Sequence, residues 1–179
     1  MRIVSPMIDT PDPYALGLDA AESRLMDYNP LWPRAFAEEA AQISAAVGPL
    51  ALAIEHFGST SVPGLRAKPI IDLLIGATEI DHALEMVPPM VSLGYDYAGS
   101  QGIPDHHIFG RGVARTHLAH VVLYGGDQWK AALAFRDRLR ADAEVRSEYQ
   151  ALKERLAEET TSRAAYTAGK SVFVLAHCT

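Results

Sequence analysis

The run HFGSTSVPGLRAKPIID, residues 56–72, constrains this chain more than any other stretch. It sets two glycines, three hydroxyl residues, two cations and an acid between two apolar segments, which reads as a strand, an anion-holding loop and a second strand carrying a carboxylate. Gly58 and Gly64 let the backbone turn or approach a ligand with no Cβ in the way. Ser59, Thr60 and Ser61 add hydroxyl donors beside free N–H groups, a combination that suits phosphate oxygens. Lys68 precedes Pro69 and is pushed toward an extended backbone, so its side chain leaves the chain just as the next strand begins. Asp72 then falls among Ile70, Ile71, Leu73, Leu74 and Ile75. A carboxylate in an apolar strand needs a partner or a metal, which makes Asp72 the first candidate for chemistry. The same pattern also accommodates a structural Ser/Gly turn in which Asp72 caps a neighbouring helix or pairs with Lys68.

Around this run the chain alternates helical and extended patterns. Asn29 ahead of Pro30 starts a helix whose apolar positions Trp32, Phe36, Ala40, Ile43 and Val47 recur at helical spacing until Gly48. Strands are expected over 50–57, 70–75, 95–97, 106–109 and 116–124. Thr78 with Asp81 is expected to cap a helix carrying Ile80, Leu84 and Val87, interrupted by Pro88 and Pro89. Asp127 should cap a helix through Arg140, Asp142 another through about Thr160, and residues 163–177 form a last helix. Strands in the middle with helices at both ends indicate an α+β fold, a small mixed sheet covered by helices on one face. With 179 residues, 49% of them hydrophobic, the chain reads as one domain over 1–179, in which 1–28 is an N-terminal extension across the surface.

Composition narrows the partners. A net charge of −6 argues against a nucleic-acid partner, which would need a basic face, and favours a small molecule. The single cysteine, Cys178, supports neither a disulfide nor a cysteine metal cluster. Without a basic, apolar leader or a membrane-length apolar run, the expected location is the cytoplasm, with no membrane partner.

His117 and His120 stand three apart in one strand and so point to opposite faces; His120 is the one expected to share a cleft with Asp72. His106 and His107 also alternate faces and receive no task. Gly169-Lys170-Ser171 imitates the end of a Walker loop, but Ala164 stands where the upstream glycine is required. Tyr149…Lys153 and Tyr166…Lys170 each place a tyrosine beside a lysine on a helix, a cationic and aromatic face suited to a ligand.

Taken together, Glu55-His56-Phe57-Gly58-Ser59-Thr60-Ser61-Val62-Pro63-Gly64-Leu65 and Lys68-Pro69-Ile70-Ile71-Asp72 resemble the GrpB family of the nucleotidyltransferase superfamily. Supporting matches are Trp32-Pro33 with Phe36, Leu93-Gly94-Tyr95, the strand with His117 and His120, Phe135-Arg136-Asp137 and Tyr149 with Lys153. Tyr166 with Lys170 and Phe173 extends the resemblance to about Val174. It implies a minimal nucleotidyltransferase fold, with Gly58-Ser59 at the β- and γ-phosphates of a nucleoside triphosphate and Asp72 as the first metal-binding carboxylate for Mg²⁺. The pattern departs at Leu74, where active superfamily members carry a second acid; His120 stands nearest to a third, which leaves open a contribution from Glu55 or Asp96, a single metal, no metal, or other chemistry in the same pocket.

The leading expectation is therefore an enzyme that transfers a nucleotidyl group to a small molecule. Ser59 and Ser61 would meet phosphates, Lys68, Arg136, Lys153 and Lys170 anionic oxygens, Asp72 the metal, and His120 would serve as ligand or general base. Two alternatives use the same pocket: a non-catalytic nucleotide or anion-binding module, and a metal-free biosynthetic tailoring enzyme. A completed metal site would favour transfer, whereas a cleft holding only Asp72 with histidines and lysines favours the alternatives.

Overall fold

The computed structural model describes residues 12–19, 22, 24–160 and 163–178. Asn29 starts α1 (Trp32–Val47) in two ways. Its Oδ1 accepts the Leu31 N–H at 2.9 Å and its carbonyl accepts the Trp32 N–H, so two of the orphan donors at a helix start are satisfied. Gly48 stops the helix at φ 56°, a conformation open to glycine at little cost. The face turned inward carries Trp32, Ala35, Ile43 and Val47, and also Glu39, an acid the apolar period did not reveal.

Five strands follow: β1 (Ala51–Phe57), β2 (Ile71–Ala77), β3 (Tyr95–Gly99), β4 (His106–Arg111) and β5 (His117–Leu123). They form one sheet in the order β1-β2-β5-β4-β3. Only the β2–β5 pair is parallel, so the sheet is mixed and the fold is α+β. Ile71, Leu73 and Ile75 of β2 and Ala119 and Val121 of β5 turn to one face, where they pack with α1 residues in the main core. The alternate residues, Asp72 and Leu74 of β2 with Leu118, His120 and Val122 of β5, turn to the opposite face.

Along that second face run α4 (Asp127–Ala141), α5 (Ala143–Glu159) and α6 (Arg163–Ala176). Trp129 of α4 closes on Leu74 and Val122 at one end. At the other, Val62 and Leu65 of the loop insert among Leu139, Val145 and Tyr149. One face is thus sealed by α1 and the shorter helices, while the other is bridged by the C-terminal helices over an open space.

Four local expectations change. The segment after β2 breaks into α2 (His82–Glu85) and α3 (Val87–Ser92), and the break turns Ala83, Met86 and Met90 inward, leaving Leu84 half exposed. Thr78 and Asp81 do not cap it: no side-chain cap forms, and Thr78 Oγ1 bonds His82 Nδ1 at 2.7 Å. Asp127 is likewise the first residue of α4 without a capping bond. The described part of the N-terminal extension is more than a surface strap, since Leu18 is buried and pairs with Arg115 while Met26 pairs with Ala67. Residues 1–11, 20, 21 and 23, also within that extension, lie outside the described residues.

Asp142 does cap α5, its Oδ1 accepting the N–H of Glu144 at 3.0 Å and of Val145 at 3.2 Å. These bonds hold its carboxyl below the ordinary range. Replacing it by alanine (Asp142→Ala) is expected to lower the stability measured by urea titration at pH 7, through loss of the two capping bonds. A loss indistinguishable from zero would show that the cap contributes nothing.

Candidate functional site

The space on the second sheet face is a cleft of ≈ 740 Å³, within the usual range for small-molecule sites. Its floor comes from β2 and β5, its near rim from the loop after β1, and its roof from α4 and α6. Phe57, Leu74, Leu118, Val122, Phe135, Leu139 and Val174 make most of the wall apolar. The polar groups gather toward the loop, where Ser59, Lys68, Asp72, Tyr149, Tyr166 and Lys170 meet, and toward β4, where His106, His120 and Gln128 meet.

Strand register explains the loop end. Phe57 pairs with Asp72 at the last position of the β1–β2 ladder, so the chain leaves β1 directly over the Asp72 side chain. Gly58 makes this possible, with φ 70° and a backbone so close that an added Cβ would lie 2.9 Å from the Asp72 Cγ. On the far side, Asp72 Oδ1 is 4.0 Å from His120 Nε2. Lys68 Nζ stands 3.7 Å and Lys170 Nζ 4.6 Å from the centre of the Tyr166 ring. Burial pushes the Lys170 ammonium below the ordinary lysine range, with the Asp72 charge working the other way.

The structure brings Gly58, Ser59, Thr60, Lys68, Asp72, His120, Arg136 and Lys170 around this one cleft. Their side chains are not equally available. Thr60 is buried, with its hydroxyl 3.1 Å from His56 Nε2. Ser61 falls outside the lining and donates to the Gly58 carbonyl at 2.6 Å, so its hydroxyl holds the loop's own turn. Arg136 reaches the cleft but binds Glu55 at 2.7 Å, the His56 carbonyl at 3.1 Å and Asp137 at 2.8 Å. Lys153 is not in the lining at all. It is 1% exposed, its ammonium is pushed down to about 7 by burial and by Lys170, and it donates to the Arg66 carbonyl.

Arg140 completes a pattern, donating to the Ser61 carbonyl at 2.9 Å. Cations of α4 and α5 therefore hold the carbonyls of residues 56, 61 and 66. This is the task of Arg136, Arg140 and Lys153. It clamps the loop to the helices, since a charged donor on a carbonyl is worth more than a neutral one.

His106 is the residue that sequence reading passed over. It joins the site because β4 pairs antiparallel with β5, setting His106 opposite Val122 and its ring beside His120. His106 Nε2 lies 2.8 Å from His120 Nδ1, and its Nδ1 lies 2.8 Å from Gln128 Oε1. The alternation of β4 carried half of this signal, and the missing half was the register to β5.

The two-metal arrangement implied by the superfamily does not fit these side chains. On the face that carries Asp72, the position two residues on is Leu74, packed with Val122 and Trp129. Glu55 is tied to Arg136 and Asp96 to Arg115. Among the described residues no group of three His, Cys, Asp or Glu side chains is placed to hold a metal.

The family description "GrpB protein" matches residues 22–179 of the chain. The chain belongs to the GrpB family. A relative, "Glutamate-rich protein GrpB" of Alkalihalophilus pseudofirmus, is 32% identical over 166 residues, covering 89% of this chain and 95% of that one. The crystal structure of conserved protein GrpB from Enterococcus faecalis superposes with a TM-score of 0.79 at 33% identity, over 87% of this chain and 94% of that chain. Cid1, in a complex with its short product ApU, matches with a TM-score of 0.51 at 12% identity, over 81% of this chain and 46% of that one. At that distance the likeness concerns the fold, which is nucleotidyltransferase-like. No helix among the described residues of this GrpB protein is long and apolar enough to cross a membrane.

Two outcomes follow from the geometry. Gly58→Ala meets both a left-handed backbone and the Asp72 carboxylate, and is expected to cost about 2 kcal/mol or more in a urea titration. A neutral substitution would mean that the loop and Asp72 separate freely. The second concerns acid. His56 and His120 are pushed down to about 3, and His106 and His117 are also lowered, in each case first by burial. Below about 6.5 the unfolded chain therefore binds protons that the folded chain refuses. Unfolding free energy is expected to fall as pH drops from 7.5 to 5.5, by up to about 1.4 kcal/mol per pH unit for each such histidine. A flat profile across that window would contradict their neutral burial.

Proposed function

We propose that the cleft binds a small amphipathic molecule bearing a single carboxylate or phosphate group, held at Lys68 and Lys170. Asp72 and His120 then carry out proton-transfer chemistry on it, without a pair of metal ions. This is the metal-free reading of the family pocket. The observation that carries it is the charge balance of the lining. Two ammonium groups and one carboxylate line the loop end, and the one guanidinium, Arg136, already holds Glu55 and Asp137. One further anion balances the set. A nucleoside triphosphate brings several negative charges and would need cations that this lining lacks, whereas one carboxylate or phosphate group on an apolar body comes closer to matching both the lysines and the wall. His120 is assigned the base by position: its Nε2 lies 4.0 Å from Asp72 Oδ1, and a carboxylate there favours the protonated ring and so works against the burial that lowers its basicity.

The runner-up is nucleotidyl transfer. Gly58-Ser59 set against Asp72 at the end of a central strand, within a nucleotidyltransferase-like fold, speaks for it. In that reading a Mg²⁺ ion would meet Asp72, and the nucleotide itself would have to supply most of the remaining oxygen ligands.

Calorimetric titration separates the two. Carboxylic acids and phosphate monoesters with apolar bodies are expected to bind without Mg²⁺. Replacing both lysines by methionine should weaken that binding ten- to hundredfold, about 1.5–3 kcal/mol. Because burial lowers the Lys170 ammonium and a bound anion favours its charged form, affinity should also decline as pH rises through its depressed pKa. Binding seen only for nucleoside triphosphates with Mg²⁺, and unchanged in the double variant, would overturn the metal-free reading.

A further inference from the structure

The β4 end of the cleft holds a chain of hydrogen bonds whose direction can be worked out from one fixed end. Gln128 Nε2 lies 2.8 Å from the carbonyl oxygen of Pro104. A carbonyl can only accept, so this side of the amide is the NH₂ and Oε1 faces the other way. Oε1 lies 2.8 Å from His106 Nδ1, which must therefore carry a hydrogen. In a neutral imidazole with Nδ1 protonated, Nε2 is an acceptor. His106 Nε2 lies 2.8 Å from His120 Nδ1, so that nitrogen is the donor. His120 Nε2 is left with its lone pair, 4.0 Å from Asp72 Oδ1.

We infer that Gln128 and His106 are positioning residues that fix His120 in its Nδ1–H tautomer. Its bare Nε2 then faces Asp72, so that the bound molecule must present an O–H or N–H donor between the two. The inference rests on the proposed function only for the identity of the molecule; the tautomer follows from the hydrogen bonds together with the burial that keeps both rings neutral. Two acceptors 4.0 Å apart are too far for a direct bond and close enough for one donor group to reach both. The ring is held in place as well as in tautomer, since Phe57 meets it edge to face at 5.1 Å.

The substrate class gains a second feature. An anionic group is held at the lysines, and a hydroxyl, amine or amide hydrogen sits at the Asp72–His120 gap. When His120 acts as base, the proton leaves the substrate's heteroatom for Nε2, and the electron pair stays on that heteroatom. The imidazolium so formed keeps its Nδ1–H bond to His106. Nothing passes beyond Gln128, because an amide oxygen at neutral pH accepts a hydrogen bond and not a proton. The charge therefore stays on the histidine pair until it is returned to product.

Long-range ¹H–¹⁵N spectra of the full chain labelled at histidine nitrogens test this without any ligand. At pH 7.5 the expected pattern is Nδ1–H with bare Nε2 for both His106 and His120, assigned by the signals missing in His106→Gln and His120→Gln. An Nε2–H or imidazolium signal for His120 would overturn the inference. Gln128→Leu removes the amide that sets the order and is expected to convert both rings to mixed tautomers, while unlinked histidines such as His56 keep their shifts. Unchanged His120 shifts in that variant would show that Gln128 does not position it. Gln128→Glu should raise the pH at which the pair titrates, and an unmoved titration would count against the relay. Carboxylate binding lost with an intact Nδ1–H pattern would strike the proposed ligand and leave the relay standing; the reverse result would strike the relay alone.

Discussion

The close approach of Gly58 to the Asp72 carboxylate is the constraint on which the site depends. It follows from one pairing, Phe57 with Asp72, at the end of an antiparallel ladder next to a parallel one. The antiparallel partner brings the loop over the strand end, and the parallel partner brings His120 alongside. Neither strand alone would do both. Because Gly58 lacks a Cβ, the loop backbone can lie against the acid, and the cations of α4 and α5 draw its carbonyls toward the helical layer. The loop is thereby a fixed wall of the cleft, keyed into the helices by Val62 and Leu65, both fully buried.

This arrangement explains why the cationic residues divide as they do. Arg136, Arg140 and Lys153 point at peptide carbonyls, which are partial charges of fixed position, whereas Lys68 and Lys170 lie against the Tyr166 ring at the cleft. A ring face stabilises an ammonium by about 0.5–2 kcal/mol, depending on how far it is desolvated. That is less than a carboxylate or phosphate partner offers in the same surroundings. Under the proposed function, an ammonium kept on an aromatic face gains further stabilisation from a bound anion.

Sequence carried the local part of this structure well. The apolar period of α1, the strands on either side of the loop and the Asp142 cap all rest on interactions within a few residues. Glu39 shows what was hidden: it sits on the buried face of α1 because Tyr95, 56 positions on, donates to it at 2.9 Å and Arg111 pairs with it from β4. Ser61, by its hydroxyl in the loop, and Lys153, by its spacing from Tyr149 and the family resemblance, read as ligand-binding groups, yet loop carbonyls accept their hydrogens. His106 shows no task in the sequence for the complementary reason, since only the β4–β5 register puts its ring beside His120. In each case the residue's chemistry was legible and its partner was not, because the partner is set by strand and helix packing over long separations.

Leu74 joins fold and chemistry most directly. A superfamily enzyme that used two metal ions would want a carboxylate at this position, on the face of β2 that Asp72 occupies. Here the side chain is 2% exposed and packs with Val122 and Trp129, where α4 closes on the sheet. A carboxylate at that position would be surrounded by apolar groups, and leaving it ionised without a metal would cost several kcal/mol. A leucine there instead contributes on the order of 2 kcal/mol of burial and anchors the helix that carries Gln128. The residue that removes the second metal ligand therefore also holds α4, and with it the amide that orders His106 and His120. The leucine in place of a second carboxylate and the ordered hydrogen bonds of the histidine pair thus meet in the same packing contact.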